Sequence, residues 1–264
     1  MCRIIGIVLP KTQDRFAVTT VREKDKFFQY CLFVRVLSGH NMTQYVKDRT
    51  VLLAGATGLV GGNILQLLLN DPGVSRIHAL SRRPLKISHP KLQVLVVDFT
   101  SLPPLPDADE AYLALGTTIK VAGSKPAFRA VDFEANMAVA RAALSAGVKR
   151  VGLVSAAGAS ARSAVFYNQV KGELEDALKA QPFAALVIAR PGLLLGSRRE
   201  LGQPLRVGER IASPLARLLS PLLPGAYKPV EALAVARCLV NTVPHAEGIV
   251  VLNSEQLGRA EQKA

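Results

Sequence analysis

Cysteine is scarce in this chain: among 264 residues only Cys2, Cys31 and Cys238 occur, too far apart to match a metal or redox spacing. That excludes a disulfide-built scaffold and sets the expectation of reduced thiols, no metal and a cytoplasmic setting. Aromatic residues make up only 5%, too thin a supply for the stacking platforms of single-strand nucleic-acid binders. No apolar run reaches the roughly 18 to 20 residues that cross a bilayer, so a spanning helix is not expected. Internal repeats and low-complexity tracts are absent as well. Acidic charge is in deficit, with 20 Asp and Glu against 33 Lys and Arg and a net charge of +13. The basic residues are scattered, in clusters no larger than pairs such as Arg82-Arg83 and Arg198-Arg199, so nucleic acid is not the expected partner. A solvated basic surface that in part serves an anionic cofactor or substrate accounts for the balance better.

Apolar residues are plentiful, at 49%, enough for one large α/β core. VLLAGATGLVGG (Val51 to Gly62) begins as a buried parallel strand and breaks at Gly55. Gly55 permits the tight turn, Gly58 lets backbone approach a pyrophosphate, and Gly61 allows helix to pack on strand. The helical pattern that follows turns Val60, Ile64, Leu65, Leu67 and Leu68 toward a sheet and stops at Asn70-Asp71-Pro72-Gly73. Unpaired amides at such a helix start attract phosphate. The stretch Gly55, Thr57, Gly58, Leu59, Val60 and Gly61 is therefore the expected cradle of a dinucleotide. A glycine triplet alone is weak; its position between strand and helix makes it a site.

Strands and helices then alternate. Strands are expected at Arg76 to Leu80, Leu92 to Val97, Ala111 to Leu115, Arg150 to Val154, Phe183 to Ala189 and Gly248 to Leu252, with helices at Pro126 to Ala146, closed by Gly147, and at Val230 to Val240. This is the signature of an α/β doubly wound parallel sheet. Residues 50–264 form its single domain, with a small substrate-side elaboration toward the C-terminus. Residues 1–49 stand outside the pattern, despite strand-like runs at Phe16 to Val21 and Tyr30 to Leu37. They match neither a signal nor a transit peptide. Met42 is a candidate true start, and the segment before it is either a poorly packed extension or an over-called start.

Ligands of such sheets bind beyond the carboxyl ends of the strands. After the second strand come Ser81-Arg82-Arg83, where an NAD-selective site places an acid on the ribose 2′-hydroxyl. Arginines there match a 2′-phosphate, which favours NADP(H) over NAD(H). Asp98 and Phe99 border the expected adenine site, and Gly116-Thr117 lets the middle of the cofactor pass close.

Ser155 ends the fifth strand, and Tyr167 opens a helix with Lys171 one turn on. A phenol titrating near ~10 is a poor acid-base group at neutral pH, and an adjacent ammonium favours its ionised form. Ser155, Tyr167 and Lys171 are thus the expected catalytic set, with Ser155 hydrogen-bonding the reacting oxygen. A Tyr and a Lys four apart also occur as a plain packing pair. Asn136 would orient a water or the lysine, or serve structure alone.

The glycine triplet, AGVKRVGLVSAAGA around Ser155, the Tyr167 and Lys171 motif and ARPGLLLGSR after the sixth strand resemble the short-chain dehydrogenase/reductase superfamily. Within it, the likeness is to the atypical single-domain branch that includes Tat-interacting-protein-like oxidoreductases and relatives of sugar-nucleotide epimerases. It spans about Thr50 to Leu257. The resemblance implies a Rossmann fold, catalysis by Ser155, Tyr167 and Lys171, and Pro191-Gly192 beside the nicotinamide amide. Leu115-Gly116-Thr117 stands where the family has Asn-Ala-Gly, and Ala156 where relatives often carry a second hydroxyl. Arg198, Arg199 and Glu200 make a candidate polar rim. The proline-punctuated segment Ile211 to Pro224 is read first as ordinary packing, then as a lid, a homodimer surface or a membrane-contacting face. The substrate is expected to be a small carbonyl or alcohol compound. The alternative is an NADP(H)-sensing regulatory or assembly protein that acts through a protein partner.

Overall fold

The computed structural model describes residues 48–196 and 227–259. Strand β1 (Arg49–Ala54) lies buried on both faces because its apolar residues divide by parity. Val51 and Leu53 enter one core, Leu52 and Ala54 the other. Each wholly buried leucine of this run contributes about 1.5–3 kcal/mol. Helix α1 (Leu59–Asn70) returns the chain to β2 (Val74–Ser81), which is followed by β3 (Leu92–Val96) and β4 (Glu110–Leu113). Next come α2 (Ile119–Ala122), α3 (Lys125–Arg129), a π turn (Ala130–Ala135) and α4 (Asn136–Ser145). The central part continues with β5 (Arg150–Val154), α5 (Phe166–Lys179), β6 (Ala185–Arg190) and β7 (Leu194–Leu195). After the undescribed stretch come β8 (Val230–Glu231), α6 (Ala232–Thr242), a 3-10 turn (Val243–His245), β9 (Gly248–Asn253) and α7 (Ser254–Arg259).

Seven strands form one sheet in the order β3-β2-β1-β4-β5-β6-β9, and every pairing is parallel. Residues of α1 and α6 fill the core on one face, and residues of α4 and α5 fill the other. The doubly wound expectation is met. Between β1 and β4 the winding reverses, so the loops after these two strands part and leave a crevice at their carboxyl ends. The small pair β7 and β8 is the described part of the C-terminal elaboration.

Several element boundaries differ from expectation. The single helix read from Pro126 to Ala146 is broken by the π turn, at which Asn136 Nδ2 donates to the carbonyls of Val131 and Asp132 at 3.3 and 3.1 Å. The side chain satisfies backbone acceptors that a wide turn releases, which periodicity alone does not reveal. Val230 and Glu231, read as helix, instead pair with Leu194 and Leu195. The runs at Phe16 to Val21 and Tyr30 to Leu37, Met42, Arg198, Arg199, Glu200 and Ile211 to Pro224 lie outside the described residues.

At the amino end of the strands a charged cluster is buried. Arg49 bonds both Glu110 and Asp71, and Tyr112 Oη donates to Glu110 Oε2 at 2.7 Å. Burial first, then the charge of Glu110, pushes the Tyr112 phenol well above its ordinary value, so it stays a donor. Burial opposes the charge of Arg49, yet Glu110 and Asp71 outweigh it and raise its pKa. Arg49→Met leaves Glu110 buried without its cation, and the expected cost is about 3–5 kcal/mol. Chemical denaturation measures it; a loss below about 1 kcal/mol would contradict the assignment.

Candidate active site

The glycine loop fits a nucleotide cradle by its contacts. Gly55 has φ +96°, and a Cβ there would lie 2.3 Å from the Ala114 carbonyl oxygen. A Cβ on Gly61 would lie 2.1 Å from the Gly55 oxygen, so α1 packs on β1 with no room for a side chain. Gly58 differs: its added Cβ meets only the Gly55 and Ala114 oxygens, at 3.1 and 3.7 Å, and lies otherwise open. The Gly58 amide donates to Gly55 O at 2.8 Å and its carbonyl accepts from Gly62 at 2.8 Å. The first-turn amides of Leu59, Val60 and Gly61 thus precede the intrahelical ladder and are oriented for an anion. Thr57 is exposed beside them, while Val60 is buried in the core.

Arg82 and Arg83 are exposed just past β2, in a turn where the Arg83 amide donates to Ser81 Oγ at 3.3 Å. Neither side chain has an ion-pair partner among the described residues. Asp98 accepts from the Thr100 amide at 2.9 Å, and that bond lowers its pKa. Phe99 packs against the core on the α4 and α5 side, so it serves packing at least as much as any adenine edge. Pro191 and Gly192 knit loops together. The Pro191 carbonyl accepts from Ala157 N at 2.7 Å, and Gly192 N donates to Ser254 Oγ at 2.9 Å.

On α5, Tyr167, Lys171 and Glu175 occupy successive turns of one face. Tyr167 is half-buried with its ring 5.5 Å from that of Phe128. Lys171 is buried and pairs with Asp132 at 2.8 Å, the side chains 5% and 0% exposed. Asp132 Oδ2 also accepts the Thr117 amide at 2.8 Å, and Asn136 Nδ2 donates to the Leu115 carbonyl at 3.2 Å. Asn136 thus anchors the loop after β4 and the π turn.

Ser155 is buried, and its hydroxyl donates to Glu175 Oε1 at 2.5 Å. Arg190 Nε donates to the same oxygen at 2.9 Å, and that bond, against the effect of burial, raises the Arg190 pKa. Ser155 was expected to offer its proton to a reacting oxygen, but that one proton is held by a buried carboxylate, the stronger acceptor. Asp132, Glu175 and Arg190 were not singled out from sequence. The available signal was two acids on helix faces otherwise lined by Val170, Leu174 and Leu178 or by Met137 and Ala140.

A family model described as NAD(P)H-binding matches residues 55–195. The chain belongs to this NAD(P)H-binding family. Among its relatives, the protein named "fmp52, mitochondrial" of Aspergillus clavatus is 39% identical over 221 residues, covering 78% of this chain and 92% of its own. That of Emericella nidulans is 34% identical over 217 residues, covering 78% and 89%. The fold recurs in the structure titled MoeE5 in complex with UDP-glucuronic acid and NAD, with TM-score 0.60, 21% identity and 77% and 75% of the two chains covered. It recurs too in a short-chain dehydrogenase/reductase family oxidoreductase from Burkholderia thailandensis, with TM-score 0.57, 17% identity and 82% and 96% covered. The chain thus has the expected fold and belongs to the expected cofactor class. The mitochondrial names of the relatives overturn the cytoplasmic expectation. Its basis was sparse cysteine, which reports a redox state and not a compartment. Among the described residues no helix is long and apolar enough to cross a membrane, and no group of three or more His, Cys, Asp or Glu could hold a metal.

Proposed function

We propose that this protein is an NADP(H)-dependent oxidoreductase acting on a carbonyl or alcohol, in mitochondria as its fungal relatives are named. The observation that carries the reading is the Tyr167 and Lys171 pair on one helix face, with the Lys171 ammonium buried against Asp132 beneath the loop after β4. The bound nicotinamide supplies hydride transfer. The amides that open α1 hold the pyrophosphate, and Arg82 and Arg83 hold the 2′-phosphate. Asp98 and Phe99 flank the adenine side, Gly116 and Thr117 leave room for the middle of the cofactor, and Pro191 and Gly192 border the nicotinamide amide. Tyr167 exchanges the proton of the substrate oxygen, with the Lys171 ammonium one turn away on the same helix face. Ser155, a donor to Glu175, has no proton to offer that oxygen, and Tyr167 carries the proton transfer. Incubating the protein with NADPH and a panel of carbonyl compounds tests the proposal through loss of cofactor absorbance.

Replacing Arg82 and Arg83 together by Ala is expected to weaken NADPH binding about tenfold to a hundredfold, the worth of one or two charged hydrogen bonds. NADH binding should change by less than about threefold, since it offers no 2′-phosphate for the guanidinium groups. Calorimetric titration of both cofactors measures the difference, and equal losses would remove the NADP(H) preference.

One observation favours a second reading. With the Ser155 proton held by Glu175, the site lacks one donor that the resemblance implies, which suits an NADP(H)-sensing regulatory or assembly protein. Tight NADPH binding with no turnover across the panel would select it.

A further inference from the structure

Asp132 is wholly buried and touches two parts of the site at once. One carboxylate oxygen faces the Lys171 ammonium at 2.8 Å, and the other accepts the Thr117 amide at 2.8 Å. A Cβ on Gly116 would lie 3.5 Å from Asp132 Oδ1 and 3.8 Å from Lys171 Nζ, so the bare backbone of this loop lies against the pair. Asn136, one turn along the same helix, ties down Leu115 in the same loop. A buried carboxylate and a buried ammonium are each costly alone and tolerable only together.

We propose that Asp132 is the positioning residue of this site: it keeps Lys171 charged and fixes the loop after β4 against it. The inference rests on the reading of Lys171 as part of the active site. Among the described residues no other acid takes this part. On its own helix, Glu175 is engaged by Ser155 and Arg190, and Glu173 by Arg129 and Gln169. From the π turn, Glu134 is exposed and faces Arg129. From α4, Arg141 is exposed; from β6, Arg190 is held by Glu175; and the covering loop brings only Gly116 and Thr117. Tyr167 is the remaining titratable neighbour on α5. Without Asp132 the ammonium has no counter-charge, and burial drives it to give up its proton as pH rises.

The test compares Asp132→Asn and Asp132→Glu with the parent protein. Turnover of Asp132→Asn is expected to gain an alkaline limb, falling about tenfold per pH unit as one proton is lost, while the parent shows none in the same range. Asp132→Glu restores the charge and should remove that limb. In parallel, 13C NMR of the lysine Cε carbons follows the ammonium directly, with the Lys171 resonance identified by its loss in Lys171→Arg. In Asp132→Asn this resonance should move to the neutral-amine position over the same pH range. A uniform loss of turnover at every pH, with Lys171 still charged, would overturn the proposal. Should Asp132→Asn prove insoluble, the parent protein decides: Lys171 must stay charged throughout the pH range of stability, and its deprotonation there would equally overturn the proposal. If no substrate turns over, the oxidoreductase reading fails by itself, and the NMR titration still decides the role of Asp132.

Discussion

Tyr167→Phe is expected to lower turnover by about a thousandfold or more while NADPH affinity stays within about threefold, the pattern of a lost proton donor. The ring remains, and so does its packing on Phe128 at 5.5 Å, so the substitution removes one oxygen and leaves the fold alone. The size follows from the absence of a substitute within the expected catalytic set. Ser155 is the nearest hydroxyl in the expected catalytic set, and its proton is already given to Glu175. Had that proton been free, some activity would survive through it. Turnover is read from cofactor absorbance and affinity from cofactor titration. Near-normal turnover in Tyr167→Phe would remove Tyr167 from the chemistry.

Gly61→Ala is expected to destabilise the domain by roughly 4 kcal/mol or more, in the range reserved for backbone clashes and strained packing. One methyl group would sit 2.1 Å from the Gly55 oxygen and 2.7 Å from its carbon. Neither atom can move aside, because Gly55 is itself pressed against Ala114 at 2.3 Å from its own missing Cβ. Helix α1 would have to leave β1, and the core it shares with α6 would open. At about 2–4 °C per kcal/mol for a domain of this size, the melting temperature should fall by roughly ten degrees. Gly58→Val supplies the contrast. Its nearest neighbour is 3.1 Å away, so the fold should survive while binding of both cofactors is lost to a side chain in the pyrophosphate path. Thermal melts beside cofactor titrations separate the two. A Gly61→Ala protein that melts with the parent would mean the contact relaxes at little cost.

The fold was legible because buried parallel strands announce themselves. VLLA at β1 and LVIA within β6 are apolar on both faces, and the glycines between strand and helix fix the first crossover. Boundaries were less legible wherever tertiary contact decides them. The π turn depends on Asn136 reaching back to the carbonyls of Val131 and Asp132, and β8 exists only because Leu194 and Leu195 lie beside it. The cradle and the Tyr167 and Lys171 row follow from local spacing. Asp132, Glu175 and Arg190 do not, since their meaning comes from partners far along the chain: Asp132 from Lys171, Glu175 from Ser155, Arg190 from Glu175. The serine shows the limit most clearly. Its position at the carboxyl end of β5 was readable, whereas the destination of its proton required three dimensions.

The Arg49 cluster also bears on how this protein can change over time. Glu110 and Leu113 mark the two ends of β4, roughly 10 Å apart at the rise of a strand, and all the candidate chemistry lies beyond the Leu113 end. Charge that anchors the sheet and the charge proposed to serve a ligand therefore occupy opposite ends of the same strands. Among the described residues, substitutions at the two ends touch no common partner, so their free-energy effects are expected to add. Loops at the carboxyl edge can be lengthened or rewritten for a new ligand without disturbing the ionic knot of Arg49, Asp71, Glu110 and Tyr112. Stability gained at that knot, in turn, offsets whatever a new binding loop costs. The architecture separates evolvability from endurance within a single sheet.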